Sequence, residues 1–519
     1  MLDQQILEQL KTVYQPLEGQ IELSLKSSTH SKHKELEQML TEIASTSSKI
    51  TLVNLDESSE APEFYLKYNG QKNGISFVGI PGGHEFTSLI LSILNSDGKG
   101  KLPDEMILQK IKALKGPINL KTFISLSCEN CPEVVQALNI MAINNPEIEH
   151  QMVDGEFREE DIKRLNVQGV PSVIGGQKGK EKLISSGKVN LLELITRLEK
   201  EYGSNAQEIV KDLGHYDAIV IGAGPAGASS AIYLARKGLK TAIIAEKMGG
   251  QVQDTKGIEN LISVTYTEGP QLTAKMAEHI AAYEIDLLEH RRVKSLEVID
   301  GNKSHLKLNT GETASASKLI IATGAKWKEL NVPGEKEYLG RGVAFCPHCD
   351  GPYYKGKDIA VIGGGNSGVE AAIDLAGIVK SVTVFEFGEK LKADNVLIEK
   401  MNSTNNINVI TNARTTEILG DGSKVNEIEY EDRSSKQNHK IKLDGVFVQI
   451  GLLPNSQFIK GLVDTNDYGE IIIDDKCRTN IKGVYAAGDV TTVPFKQIVV
   501  AMGEGSKAAL TAFEDIMMS

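Results

Sequence analysis

The chain has 519 residues, 40% hydrophobic and 24% charged, with 49 glycines, five cysteines and a net charge of −12. That length exceeds one core and predicts three or four domains. The acidic balance argues against a broad nucleic-acid surface. No apolar run approaches the ~18 residues of a membrane span, and so few cysteines point to a reducing cytoplasm, not a secreted disulfide scaffold.

The N-terminal "MLDQQILEQL" lacks the basic start and apolar core of a secretion signal. Residues 1–199 alternate short strands with helices and carry a faint internal repeat. "IELSLKSSTHSKHKELEQMLTEI" (21–43) and "LKTFISLSCENCPEVVQALNIMA" (120–142) both read as a strand running into a helix. "FVGIPGGHEFTSLILSIL" (77–94) matches "VQGVPSVIGGQKGKEKLI" (167–184) as strand, Gly-x-Pro and Gly-rich turn. Two copies of one small α/β unit are predicted. The first reads Ser27-Ser28-Thr29-His30-Ser31 where the second has its cysteines, so only the second can do thiol chemistry. There the strand is expected to end at Ser127, with Cys128 at the next helix's N-terminus. Amide dipoles at that place favour thiolate, making Cys128 the exposed nucleophile and Cys131 the resolving thiol. Glu129 between them disfavours the thiolate.

Residues 200–214 are polar and charged and read as a linker. Beyond them "YDAIVIGAGPAGASSAIYLARKGLKTAIIAE" (216–246) is strand, glycine turn, helix and strand. Gly222 allows the tight turn, Gly224 lets backbone approach a pyrophosphate, and Gly227 completes the GxGxxG pattern. Glu246 ends the second strand, where an acid accepts bonds from ribose hydroxyls. "AFCPHCDGPYY" (344–354) brings a second CxxC, Cys346 and Cys349, followed by Asp350. "KDIAVIGGGNSGVEAAIDLAGIVKSVTVFE" (357–386) repeats the nucleotide plan with Gly363, Gly365, Gly368 and Glu386. A carboxylate at that strand end favours a free 2′-hydroxyl, and "FEFGEK" offers no Arg for a 2′-phosphate, so NADH is expected over NADPH. In "GVYAAGDV" (483–490) a strand delivers Gly488 and Asp489, an acid suited to a flavin's ribityl and phosphate region. Two dinucleotide sites in one chain point to FAD and a nicotinamide.

The motifs "IGAGPAG", "GGQV", "IIATGA", "CPHCD", "IGGGNSG" and "AAGD", in that order over 216–519, resemble the low-molecular-weight thioredoxin reductases. "SCENCPEVVQALN" and "GVPSV" resemble a doubled thioredoxin-like domain, and Val170-Pro171 its cis-proline. Together they resemble the flavoprotein subunit of bacterial alkyl hydroperoxide reductases. The resemblance implies an α/β chain of tandem thioredoxin-like folds (1–199) followed by two Rossmann-type domains. The FAD domain would be split into 209–329 and 453–519, with the NADH domain and its CxxC at 330–452. It adds Pro225, Ala226, Gly250, Gln251, Thr323, Gly324, Gln497 and Ile498 to the FAD contacts and Asn366 and Ser367 to the NADH contacts. It implies that Cys349 adjoins the flavin, that Cys346 exchanges outward, and that Asp350 is a proton donor. It further implies transfer from NADH through FAD, Cys346/Cys349 and Cys128/Cys131 to a peroxiredoxin, in a cytoplasmic homodimer. Glu85 would be a buried acid facing the working CxxC.

Zinc needs four ligands in one closed site, and the long separation of the two CxxC pairs argues against it, so no metal is expected. Cys477, in "DDKCRTN", has no partner at useful spacing and reads as a bystander. Three rival functions stay open: a thioredoxin reductase with a fused thioredoxin, a hydrogen-peroxide-forming NADH oxidase, and an N-terminal region that only docks.

Overall fold

The computed structural model describes the chain apart from Met1, Glu129, Gln168, Lys178, residues 206–210, Lys256, residues 300–302 and Ser519; of Asp254 and Cys349 it describes only the backbone. The chain divides into two compact units, 1–209 and 210–519.

The first unit is built on one eight-stranded sheet made of two four-stranded halves. In each half a strand (Ile21–Ser27 or Ile118–Ile124) pairs in parallel with the next strand and antiparallel with the third, and a hairpin adds the fourth. The halves join where Ile75–Val78 runs parallel to His150–Val153. The join turns an open strand edge into a paired one and lets both copies share a single core, with Leu23, Leu25, Phe64, Phe77, Ile118, Leu138 and Met152 all buried in it. The repeat is therefore real, but one of its landmarks is misplaced. Pro171 directly precedes the third strand of its half, Ser172–Gly175, and the matching proline is Pro62 ahead of Glu63–Tyr68; Gly79-Ile80-Pro81 instead follows a fourth strand. Gly-x-Pro punctuates strand ends wherever they fall, so the motif alone could not assign the register.

The linker is shorter than 200–214. A helix with an Asn190 cap runs Leu191–Tyr202, and a strand begins at Asp212. Residues 206–210 lie outside the described residues.

In the second unit, a seven-stranded sheet gathers Asp212–Ile221, Thr241–Ile244, Ile285–Leu288, three strands between Val293 and Ile321, and the distant Val484–Ala486. Residues 343–448 form a separate five-stranded parallel sheet and a three-stranded antiparallel one. The apolar runs "AIVI" and "IAVI" are buried strands of the two parallel layers, as sheets covered on both faces require. The two chain crossovers between these layers meet in a short antiparallel ribbon, Ala325–Trp327 with Leu452–Pro454. No described helix is long and apolar enough to cross a membrane.

Candidate active site

The first glycine turn joins strand Asp212–Ile221 to helix Pro225–Ala235. Gly222 has φ +111°, and a Cβ there would strike the Ala322 carbonyl oxygen; one on Gly227 would strike the Gly222 oxygen. By contrast a Cβ on Gly224 would meet nothing closer than the Gly249 oxygen at 3.9 Å, so this side of the turn is open for a phosphate. Gly250 has φ +57° and its added Cβ would stand 3.5 Å from the Gly224 Cα, while Gln251 is exposed beside it. The Thr323 hydroxyl donates to the Asn455 carbonyl at 2.8 Å, and the Asn455 amide Nδ2 donates back to the Thr323 carbonyl at 2.8 Å. These bonds hold Thr323 and Gly324 at the end of the neighbouring strand. Glu246 is gripped from both oxygens by Arg292, at 3.0 and 2.8 Å, which fixes the carboxylate at the strand end.

The "AAGD" segment arrives at the same place. A Cβ on Gly488 would lie 2.9 Å from the Ala226 Cβ. Asp489 beside it is half-buried, one of its carboxylate oxygens is buried with no protein partner, and burial raises its pKa, opposed by Lys496. A buried acceptor left open, next to an open glycine turn at a helix N-terminus, fits FAD. The C-terminal helix Ile498–Met517, capped by Gln497, closes this layer. It packs so tightly on Pro225–Ala235 that a Cβ on Gly505 would strike the Ala226 oxygen, and Ser230 donates to the Gly505 carbonyl at 2.9 Å.

The second glycine turn has the same build. Gly363 has φ +123°, a Cβ on Gly368 would strike the Gly363 oxygen, and Gly365 faces open space ahead of helix Asn366–Ala376. Ser367 lies in the first turn of that helix, and the Asn366 side chain is locked to Asp394 in both directions at 3.0 and 2.9 Å. Glu386 is buried; its oxygens accept from the backbone N–H of Gly364 at 2.8 Å and of Gly388 at 2.7 Å. Each oxygen keeps a lone pair for a ribose hydroxyl. Residues 385–390 carry no arginine, but one from elsewhere in the chain reaches them. Arg433, distant in sequence, lies over the Phe387 ring and donates to the Phe387 carbonyl at 2.8 Å.

Cys346 is disulfide-bonded, and the Cys349 side chain lies outside the described residues. The Cys346 sulfur accepts from Gln497 Nε2 at 3.8 Å, and Asn260 Nδ2 donates to Gln497 Oε1 at 3.1 Å. The CxxC turn thus sits against the head of the C-terminal helix, on the side of the first glycine turn. Asn260 was not singled out in the sequence because nothing local marks it. Upstream, Phe345 stacks on Trp327 with centroids 6.0 Å apart. The Asp350 backbone N–H donates to the Cys346 carbonyl, and burial pushes the Asp350 carboxyl up to about 6. His348 is more than half exposed and pairs with Asp374 at 3.2 Å, which leaves it outside the site.

In the first unit, Cys128 and Cys131 form a disulfide. The strand stops at Ile124, not Ser127, and the helix begins at Cys131, with Cys128 in the turn between. Cys131 is wholly buried and Cys128 partly exposed, the asymmetry expected of resolving and attacking thiols. Glu129 lies outside the described residues. The Val170–Pro171 peptide is cis. Gly83–Glu85 rests on the same turn, where the His84 N–H donates to the Leu126 carbonyl. Glu85 is fully buried, and burial pushes its pKa up to about 7; Ser88 opposes the shift without reaching hydrogen-bond geometry. Cys477 is buried against Glu504, and burial first, then that carboxylate, raise its pKa. Such a thiol is inert.

The pyridine nucleotide-disulphide oxidoreductase family matches residues 216–505, and a thioredoxin domain family matches 118–200. The chain is 47% identical to the alkyl hydroperoxide reductase F subunit of Pseudomonas putida, over 100% of this chain and 99% of that protein. It is 46% identical to the corresponding protein of Escherichia coli K12, over 99% and 98%. Among solved structures, thioredoxin reductase from Streptococcus pyogenes MGAS5005 is similar at 35% identity and a TM-score of 0.56, over 59% of this chain and 99% of that one. Thioredoxin reductase from Giardia duodenalis is similar at 32% and 0.57, with the same coverage. With two glycine turns, a CxxC beside the first of them and a thioredoxin-type disulfide ahead of both, the chain belongs to the pyridine nucleotide-disulphide oxidoreductases, in the family of alkyl hydroperoxide reductase F subunits.

Proposed function

We propose that the chain moves reducing equivalents from NADH through two of its own cysteine pairs to the disulfide of a peroxiredoxin, which reduces hydrogen peroxide and alkyl hydroperoxides. The observation that carries this reading is the disulfide-bonded Cys346 lying against Gln497, at the head of the helix packed on the first glycine turn. FAD, held by that turn with Glu246 and Asp489, supplies two-electron chemistry between a nicotinamide and a disulfide. The flavin part is 209–329 with 453–519, and the NADH part is 330–452. Cys346 and Cys349 are the first pair. Once they are a dithiol, the Cys346 thiolate attacks Cys128, forming a mixed disulfide and releasing Cys131 as thiolate. Cys349 then attacks Cys346, closes the first disulfide and frees Cys128. The Cys128 thiolate attacks the partner's disulfide in turn, and Cys131 resolves that adduct. Asp350, with its carboxyl near 6, holds a proton that a departing thiolate can take.

Glu386 supports NADH as the donor, since a 2′-phosphate would approach a buried carboxylate. The test measures oxidation of NADH and of NADPH, with and without a disulfide-form peroxiredoxin. Large acceleration by the partner with NADH, and at least ~100-fold lower kcat/KM with NADPH, support the reading. Oxygen-dependent NADH oxidation that the partner does not accelerate would identify a peroxide-forming oxidase instead.

A further inference from the structure

Phe387 follows Glu386 at the carboxyl end of strand Ser381–Phe385 and is 55% exposed. Its surroundings are rigid. The Arg433 guanidinium stands 3.9 Å from the ring centroid. Asn412 N–H donates to the Gly388 carbonyl and Arg433 N–H to the Asn412 carbonyl, each at 2.8 Å. On the other side the Lys392 N–H donates to the Gly364 carbonyl at 2.8 Å, which ties the loop after Phe387 to the glycine turn. A single exposed aromatic is ordinary on a protein surface. This one is fixed in place by backbone bonds and a stacked guanidinium, at the carboxyl end of parallel strands where nucleotides bind.

A dinucleotide whose phosphates lie at Gly365 and whose ribose meets Glu386 carries its base onward past the end of that strand. We propose that the Phe387–Arg433 pair is the platform for the adenine of NADH, a flat π surface on which a purine stacks. The proposal rests on the second glycine turn being the NADH site. Adenine takes no part in hydride transfer, so the platform acts equally on ground and transition states and shows in KM, not kcat. It also accounts for an arginine placed over a ring in place of a lysine, since a guanidinium stacks and an ammonium does not.

The test compares NADH with reduced nicotinamide mononucleotide, which has the same reacting ring and a phosphate but no adenosine. Phe387→Ala should raise KM for NADH about 10-fold, the loss of one stacked base, with kcat and the mononucleotide's KM unchanged. Phe387→Trp should keep the low KM. A parallel rise for both substrates would mean that Phe387 only holds the loop, and an unchanged NADH KM would mean that it is bare surface; either overturns the proposal. Gly365→Asp, which the open space at that position admits, tests the underlying site separately. It should raise KM for both substrates by placing a carboxylate against their phosphate. If Gly365→Asp changes neither, the nucleotide lies elsewhere and the platform falls with the site. If it raises both while Phe387→Ala raises neither, the platform alone is wrong.

Discussion

Asp350, half-buried, and Glu85, fully buried, are carboxyls beside the two CxxC turns, and their titrations differ in consequence. Burial lifts Asp350 to about 6, so it keeps its proton below pH 6 and loses it above. The step that protonates a thiolate should therefore slow as pH rises through about 6. Asp350→Asn should flatten that limb and slow NADH-driven reduction of Cys128–Cys131 by on the order of 100-fold, read by rapid-mixing thiol trapping across pH. Glu85 tests the physics of burial more directly. Its pKa rises from 4.5 unfolded to about 7 folded. Between those values the folded state holds the extra proton, so stability falls as pH rises from 4.5 to 7, and the whole cost is present above 7. Glu85→Gln should stabilise the protein by about 3 kcal/mol at pH 8 and by nothing at pH 4, measured by denaturant melts. An equal gain at both pH values would show that no titration is involved.

Elements were legible in the sequence where one short motif determines one conformation. The two glycine turns, their following helices and the acids ending the next strands are local facts, and Gly222, Gly227, Gly363 and Gly368 are required by close backbone approach. What stayed hidden depends on chain segments far apart. Gly505 had no motif to mark it, yet it permits the C-terminal helix to lie on Pro225–Ala235. Gly505→Ala should force the two helices apart, cost about 2 kcal/mol or more, and lower retention of FAD, checked by thermal melting and flavin absorbance after gel filtration. Unchanged melting would mean that the contact yields easily. Arg433 was missed for the same reason, since it reaches Phe387 from the turn after strand Val425–Asp432. At the crossover near Pro333-Gly334, where Pro and Gly would suit a hinge, tertiary packing acts instead. The Ile418 N–H donates to the Pro333 carbonyl, a Cβ on Gly334 would strike the Ile418 oxygen, and buried Glu335 accepts from Leu330 and Asn331. That segment is clamped, so a turn of the NADH part would have to pivot at the ribbon Ala325–Trp327 with Leu452–Pro454.

For the whole molecule, the reading requires the NADH part to turn against the flavin part in each cycle. The nicotinamide and the Cys346 disulfide must each face the same place beside Gln497, and they cannot do so together. In the structure the disulfide occupies that place, braced by Asn260 and Gln497. Four residues past Cys349, the half-exposed Tyr353 is tied to Glu259, and partial burial and that bond push its hydroxyl up to about 12. A reversible crosslink between the Gly257 loop and the Tyr353 segment, where a Gly257 Cβ would stand 3.0 Å from the tyrosine hydroxyl, should stop steady-state turnover, and cleaving it should restore the rate. Full activity while crosslinked would remove the need for rotation.

The order of the two cysteine pairs is the central claim, and thiol trapping under anaerobic NADH tests it most directly. In the wild-type chain NADH should render Cys128 and Cys131 alkylatable. In Cys349→Ser they should stay disulfide-bonded on the same timescale, while in Cys128→Ser the flavin is still reduced by NADH and the peroxiredoxin is not. Reduction of Cys128–Cys131 at the normal rate in Cys349→Ser would contradict the account, because electrons would then be reaching the thioredoxin-type pair without passing through Cys346 and Cys349.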